Sequence, residues 1–215
     1  MQLYKSAVSQ SSKLDIKALA QLLSVGLAEC KTDFEKREFG IAAMSLYDYT
    51  LDMKYLNYEN EKGKYFRNLI YRDESIMLKN IIWNPQAISP IHGHNSNGCW
   101  VMVTSGQINE QGMIFLNNFY LVFSRVGGKP KMIEEKVLRP GQITYNHNAI
   151  GFHLMENPDK INGITNETPA VTLHCYHPPY DVTALMKPDG EVYHGPLAYY
   201  SKFGEIETDV KTGGV

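Results

Sequence analysis

The sequence has 215 residues, of which 43% are hydrophobic and 20% are charged, a composition typical of a globular protein in water. The formal net charge is −2 and there is no basic block, so nucleic acid is not an expected partner. We expect neither a secretory signal nor a membrane span, and three scattered cysteines are too few for a disulfide framework. These features favour a single domain in the cytoplasm with no membrane partner.

The first 60 residues or so are predicted to form a small helical cap. Between Ser12 and Leu27 the apolar residues recur at helical spacing, and Ser11 or Ser12 is the expected N-cap. A second helical pattern follows the capping candidate Thr32 and runs to about Met53. Both patterns have an apolar face suited to packing, so we expect this region to be structural.

From about residue 64 to residue 204 the chain is predicted to be mainly β. Short segments rich in β-branched or aromatic residues are separated by turn signals such as Asn84-Pro85 and Pro140-Gly141. The predicted strands are Tyr65–Tyr71, Ile76–Trp83, Gln86–His94, Cys99–Thr104, Met113–Phe115, Phe119–Ser124, Lys131–Leu138, Gln142–Tyr145, Gly151–Glu156 and Ala170–Tyr176. About ten strands without intervening helices favour a β-sandwich or barrel, followed by a tail over residues 205–215.

His92 and His94 form the first candidate metal site. On a strand, two residues that are separated by one intervening residue share a face. Imidazole is the commonest neutral ligand for first-row metals. The pair alone is equally compatible with two of seven histidines falling close together on an exposed strand. His153 is the best third ligand, because it lies on the predicted strand that the Pro140-Gly141 turn precedes.

This predicted site contains no obvious carboxylate ligand. Glu110 and Glu156 are ligands in principle, but Glu156 has the opposite strand parity to His153, which favours a supporting role. Three neutral imidazoles leave a divalent ion with its full charge, which suits an anionic ligand such as a thiolate. Three histidines also suit Zn, Ni or Co, so the metal is not determined by the ligands alone.

The layout of the histidines resembles the paired metal-binding motifs of the cupin superfamily, whose fold is a small double-stranded β-barrel. In most cupins a Glu follows the two histidines, and here Cys99 stands at about its place. Thr172, His174 and Tyr176 alternate on one face of the last predicted strand. They suit either a solvated polar face or a row that moves protons, and His174 is an alternative metal ligand.

Several longer motifs together resemble the cysteine dioxygenases, in particular the eukaryotic type with a Cys/Tyr pair. The resemblance spans about residues 30–204. The matching segments are Ser89-Pro90-Ile91-His92-Gly93-His94 with Cys99, Tyr65-Phe66-Arg67-Asn68, Ile150-Gly151-Phe152-His153 with Glu156-Asn157, Pro169 to Tyr176 with Pro178-Pro179, and Tyr200 to Gly204. Each segment alone is a weak signal, whereas the combination is specific.

This resemblance implies a non-haem iron dioxygenase in which Fe(II) is bound by His92, His94 and His153. The implied substrates are L-cysteine, bound to iron through its thiolate and amine, and O2. The implied product is cysteine sulfinate, a step of cysteine catabolism and taurine biosynthesis. Arg67 would pair with the substrate carboxylate, assisted by Tyr65.

The resemblance also implies a set of residues around a phenol. Cys99 and Tyr176 would form a thioether crosslink, and Thr172 and His174 would hold the phenol through hydrogen bonds. The peptide bond between His177 and Pro178 is often cis at this position of the family.

Two alternatives remain open at this point. A sister thiol dioxygenase would use 3-mercaptopropionate or cysteamine, although Arg67 disfavours cysteamine, which has no carboxylate. Cys99 disfavours the 3-mercaptopropionate type, which usually lacks this cysteine. A non-catalytic cupin that binds a metal or ligand is the other alternative. We expect a monomer in each case.

Overall fold

The computed structural model describes residues 13–114, 130–147 and 150–208. Within these ranges the chain forms two α-helices and one 3₁₀ helix near its N-terminus, followed by fifteen strands. The predicted strand Phe119–Ser124 lies outside the described residues. The expectation of a mainly β protein with an N-terminal helical cap is confirmed.

The helical cap consists of α1 (Ile16–Glu29), α2 (Asp33–Met44) and a 3₁₀ helix (Tyr49–Tyr55). Asp15 caps α1 by accepting a hydrogen bond from the backbone N–H of Ala18. The predicted N-cap, Ser11 or Ser12, lies outside the described residues. The second helical pattern does not run unbroken to about Met53, because the chain leaves α2 and pairs with residues preceding α1 before the 3₁₀ helix begins.

Thr32 caps α2 as predicted. Its hydroxyl accepts the N–H of Glu35 at 3.1 Å, and the Glu35 carboxylate accepts the N–H of Thr32 at 3.1 Å. This reciprocal capping box satisfies two backbone donors that a helix start otherwise leaves unpaired.

The strands are short, and most of them belong to two sheets. They are β1 (Tyr65–Arg72), β2 (Met77–Trp83), β3 (Ile91–His92), β4 (Gly98–Ser105), β5 (Ile108–Ile114), β6 (Lys131–Leu138), β7 (Ile143–Asn146), β8 (Phe152–Glu156), β9 (Lys160–Ile161), β10 (Ile164–Thr165), β11 (Ala170–His177), β12 (Val182–Met186), β13 (Val192–Pro196), β14 (Ser201–Lys202) and β15 (Glu205–Ile206). One sheet has the order β15-β14-β1-β2-β11-β4-β7, the other β13-β12-β3-β8-β5-β6, and β9 pairs with β10.

The two large sheets face each other across the main hydrophobic core. Alternate residues of β2, β4 and β11 point into this core and meet residues of β5 and β8, among them Met155. A second core lies on the other face of the seven-stranded sheet, where Leu19 and Leu23 of α1 pack against Leu78 and Cys175. The strand β2 is buried on both faces, and its apolar residues are interrupted at the centre by Lys79 and Asn80.

Two strand predictions differ from the structure. The predicted strand Gln86–His94 is wrong in extent, since only Ile91–His92 forms a strand. Gln86 has φ 67°, and prolines stand before and after it, so the segment turns between the sheets instead of pairing along its length. The predicted strand Met113–Phe115 is wrong in its start, since β5 begins at Ile108. The pairs β9–β10, β12–β13 and β14–β15 were not predicted, and β15 lies in the segment that was predicted to be a tail.

Candidate active site

Three histidines converge inside the barrel. His92 ends β3 and stands directly opposite His153 of β8, while His94 follows two residues after β3 ends. Their ligand nitrogens all lie within 4.8 Å of one another. The side chains of His94 and His153 are each 1% exposed, so the group is enclosed by the barrel.

Hydrogen bonds set the orientation of two of these rings. The Nδ1 of His92 lies 3.0 Å from the carbonyl oxygen of Pro90, and the Nδ1 of His153 lies 2.6 Å from a carboxylate oxygen of Glu110. Each Nδ1 therefore donates, which leaves Nε2 as the nitrogen that can bind a metal ion. The two Nε2 atoms face each other at 3.2 Å, an arrangement that a shared cation stabilises.

The third ring has no such partner. Both ring nitrogens of His94 are buried and neither has a hydrogen bond to any described residue. A buried polar atom without a partner is costly, so the site fits a ligand that the protein itself does not supply. Burial lowers the pKa of His92 and of His94 well below the usual range, which keeps both rings in the neutral form that binds a metal ion.

The two glutamates with potential ligand roles lie behind the histidines. Glu110 bonds His153 and is outside the group of converging ligands, and Glu156 accepts a hydrogen bond from Asn109 at 3.2 Å. Burial acts most strongly and raises the pKa of Glu110, but the interactions with His153, Thr144 and Lys136 together outweigh it, and the net pKa is lowered. Glu110 is therefore an anion that orients a ligand, a role that sequence parity alone did not reveal.

Thr172, His174 and Tyr176 form a connected row on the inner face of β11. The hydroxyl of Thr172 lies 2.8 Å from Nε2 of His174, and Nδ1 of His174 lies 3.0 Å from the phenol oxygen of Tyr176. The indole N–H of Trp83 donates to the Thr172 hydroxyl at 2.8 Å. These side chains are buried, so the row is a core network rather than a solvated polar face, and His174 is not among the converging ligands.

Cys99 stands next to Tyr176. The two residues are direct partners in the antiparallel pair of β4 and β11, and both side chains lie in the main core. Burial raises the pKa of the Cys99 thiol to about 12, although the nearby Lys79 opposes this rise. Cys175, by contrast, points to the core beneath the helices.

Arg67 lies on β1 at the cleft that leads to the histidines. Its guanidinium donates to the phenol oxygen of Tyr65 at 2.6 Å, and its Cζ lies 4.7 Å from the centre of the Tyr65 ring. Tyr65 stacks in turn on Trp83 at 4.9 Å between ring centres. This stacking holds the guanidinium at the cleft, with donors left for an acidic ligand.

Two further residues line the same cleft and were not anticipated. Lys79 of β2 and Tyr180, in the loop after β11, both border it. Tyr180 contacts Tyr176 edge-on at 5.1 Å, and that loop follows a cis peptide bond between His177 and Pro178, as the resemblance implies. For Lys79 a signal existed, since it is the one charged residue in a strand that is buried on both faces.

A wider groove of about 550 Å³ lies elsewhere, between α1 and β1, and it is away from the histidines.

Among the described helices, none has the length and apolar character needed to cross a membrane.

A double-stranded β-barrel that brings three imidazoles together around one point has the arrangement of a metal-binding cupin. The chain belongs to the cysteine dioxygenase type I family, whose model matches residues 41–186. Cysteine dioxygenase type 1 of Homo sapiens is 29% identical over 156 residues, covering 72% of this chain and 71% of that protein. The Rattus norvegicus protein of the same name is 30% identical over 159 residues, with the same coverage.

Solved structures similar to this chain include an uncharacterised protein with a double-stranded β-helix domain from Klebsiella pneumoniae. It has a TM-score of 0.40 and 14% identity, covering 67% of this chain and 88% of that one. A cupin from Methanocaldococcus jannaschii has a TM-score of 0.36 and 12% identity, covering 57% and 87%.

Family membership makes the chain an oxidoreductase of the non-haem iron dioxygenase class that acts on thiols. Dependence on a metal follows from the family and agrees with the three-histidine group.

Glu110→Gln tests the orienting role of the carboxylate. We expect the affinity for a divalent metal to fall about 10-fold or more, because the substitution removes the charge that fixes the His153 tautomer. Isothermal calorimetry of a titration with the metal measures the effect. Glu156→Gln is the matched control, since Glu156 bonds Asn109 rather than a histidine, and the affinity of this variant for the metal should stay unchanged. Equal losses in both variants would contradict the role of Glu110.

Proposed function

We propose that this protein uses Fe(II) to oxidise L-cysteine with O2 to cysteine sulfinate. The observation that carries this proposal is the combination of three neutral imidazoles with a cationic cleft at their side. None of the described residues that line the cleft is acidic, so its unmatched positive charge suits an anionic substrate.

In this proposal His92, His94 and His153 hold the iron. Fe(II) held there would supply the redox chemistry that joins a thiol and O2. Because imidazole binds a metal in its neutral form, these three residues would leave the ion's charge to be offset by the substrate thiolate. Glu110 keeps Nε2 of His153 directed at the ion by accepting the proton at Nδ1.

Arg67 binds the substrate carboxylate in the same proposal. A guanidinium presents two parallel donors that match a carboxylate, and Tyr65 already fixes the position of this one. The site thus has separate partners for the two ends of cysteine, the histidine-bound ion for sulfur and nitrogen, and Arg67 for the acid. An amino thiol without an acid group engages only one of them.

Tyr176 is proposed to bring a phenol to the reacting end of the substrate. His174 is neutral, because burial lowers its pKa well below the usual range, and so its ring carries a single proton. That proton either faces the phenol oxygen or faces Thr172, and the row can therefore donate to the phenol or accept from it. Trp83 holds the far end of the row.

Oxygen uptake with a panel of thiols tests the proposed function. The full chain is loaded anaerobically with Fe(II) and given L-cysteine, D-cysteine, cysteamine and 3-mercaptopropionate in parallel. We expect the fastest uptake with L-cysteine, together with formation of cysteine sulfinate detected by mass spectrometry. Uptake with 3-mercaptopropionate alone would assign the sister activity, which Arg67 also accommodates. Absence of uptake with all four thiols would leave a non-catalytic cupin.

Arg67→Ala is expected to raise KM for L-cysteine about 10- to 100-fold, because it removes a charge-assisted pair to the carboxylate. The change in kcat should be smaller, since binding is lost more than chemistry. Steady-state oxygen uptake measures both constants. Arg139→Ala removes an exposed arginine and should leave both unchanged. An unaltered KM in Arg67→Ala would remove this residue from the substrate site.

The crosslink proposed between Cys99 and Tyr176 is tested by intact mass. Formation of a thioether is a two-electron oxidation that removes one hydrogen from the thiol and one from the ring, with the O2 of the proposed reaction as oxidant, so the crosslinked chain is lighter by two hydrogens. We expect this deficit after turnover in the chain of natural sequence and in Cys30→Ser, and its absence in Cys99→Ala. Cys30 is the C-cap residue of α1 and lies outside the main core that contains Cys99, which makes it the matched control. If the chain without substitutions shows no loss of two hydrogens in its intact mass after turnover, the proposed crosslink is wrong.

A further inference from the structure

Lys79 is a buried lysine on the inner face of β2. Its side chain points into the main core with those of Met77, Ile81 and Trp83, and the residue is 2% exposed. Across the sheet it stands opposite His174 of β11. Its side chain also borders the cleft that reaches the three histidines.

This ammonium group has no acidic partner among the described residues. No salt bridge or side-chain hydrogen bond involves Lys79 there, and its Nζ lies 4.3 Å from the centre of the Tyr176 ring. The ring face is a weak partner for a desolvated cation compared with a carboxylate. Lys79 therefore brings a basic side chain into the cleft without an acidic counter-charge from the described residues.

Burying this group is costly for the fold. Desolvation and then the charge of Arg67 lower the pKa of Lys79 to about 7, whereas Cys99 acts to raise it. A side chain such as Met would fill the same space in β2 without that cost. Arg67 is the second cation of the cleft and its only side-chain hydrogen bond among the described residues is to the phenol of Tyr65. Two neighbouring cations and no acid are the features of a site for an anion.

We propose that Lys79 and Arg67 together form a two-cation subsite for the carboxylate of the substrate. This inference rests on the proposed function, which supplies a small thiol that carries an acid group. Before the substrate binds, the Tyr176 ring holds the ammonium, and the carboxylate then becomes its partner. Lys79 thereby makes the enzyme select anionic thiols more strongly than a single arginine does.

Calorimetry without oxygen separates this binding role from turnover. The full chain loaded with Fe(II) is titrated anaerobically with L-cysteine and with cysteamine, which keeps the thiol and amine but lacks the acid. We expect Lys79→Met to weaken binding of L-cysteine at least 10-fold and to change binding of cysteamine less than 2-fold. Lys79→Arg keeps the charge and should retain most of the affinity for L-cysteine.

Two controls exclude indirect effects. Lys62→Met removes an exposed lysine, so it changes the net charge equally without touching the cleft, and its affinities should match those of the unmodified chain. Thermal unfolding should show that Lys79→Met is at least as stable as the unmodified chain, because a buried ammonium is replaced by an apolar group. A loss of stability would identify Lys79 as a structural residue.

Other results would also overturn the proposal. Equal weakening of L-cysteine and cysteamine would show that Lys79 acts by shaping the site, and unchanged affinity for both would show that it does not contact the substrate. If the unmodified chain consumes no oxygen with any thiol but binds L-cysteine through Lys79, the proposed function fails and the subsite stands. If oxygen uptake occurs and the affinities do not depend on Lys79, the subsite fails alone.

Discussion

The pairing of β3 with β8 is the interaction on which the site depends. It sets His92 directly opposite His153, so two ligands from distant parts of the chain are brought together by backbone hydrogen bonds. A carbonyl behind one ring and a carboxylate behind the other then turn both Nε2 lone pairs inward. His94 completes the group from the turn that follows β3. The geometry therefore comes from the sheet and its second layer of hydrogen bonds, and a metal ion occupies an arrangement that is already formed.

Charge determines what this geometry can bind. Among the described residues, the carboxylate close to the three histidines is bonded to His153, and Arg67 and Lys79 line the cleft beside them. In the proposed function, an anionic substrate would be the partner of both the ion and the cleft. The charge of such a substrate would explain why a ligand set without a carboxylate suits a thiolate. It would also account for Lys79, a buried lysine of β2 that an apolar residue could replace in the packing.

The barrel and its helical cap could be predicted because their signals are local. Segments rich in β-branched or aromatic residues and bounded by turn signals identified β1, β2, β4 and β11, and the capping candidate Thr32 marked the start of α2. The path from Gln86 to His94 could not be predicted, since a positive φ and the crossing between sheets interrupt a sequence that looks like a strand. Glu110 was considered as a ligand, but its orienting role could not be predicted because it depends on the pairing of β5 with β8 and on a contact with His153, 43 residues away.

The strand β11 faces two environments at once. Its inward residues Thr172, His174 and Tyr176 belong to the candidate site, while Leu173 and Cys175 on its other face pack beneath the helices. Trp100 of the neighbouring β4 is in the same outer core and donates its indole N–H to the carbonyl of Arg37 in α2 at 3.1 Å. The helical cap and the phenol of Tyr176 therefore lie on opposite faces of the same sheet. Because protein interiors are closely packed, the fit of α2 against β4 contributes to the rigidity of the sheet that carries the candidate site.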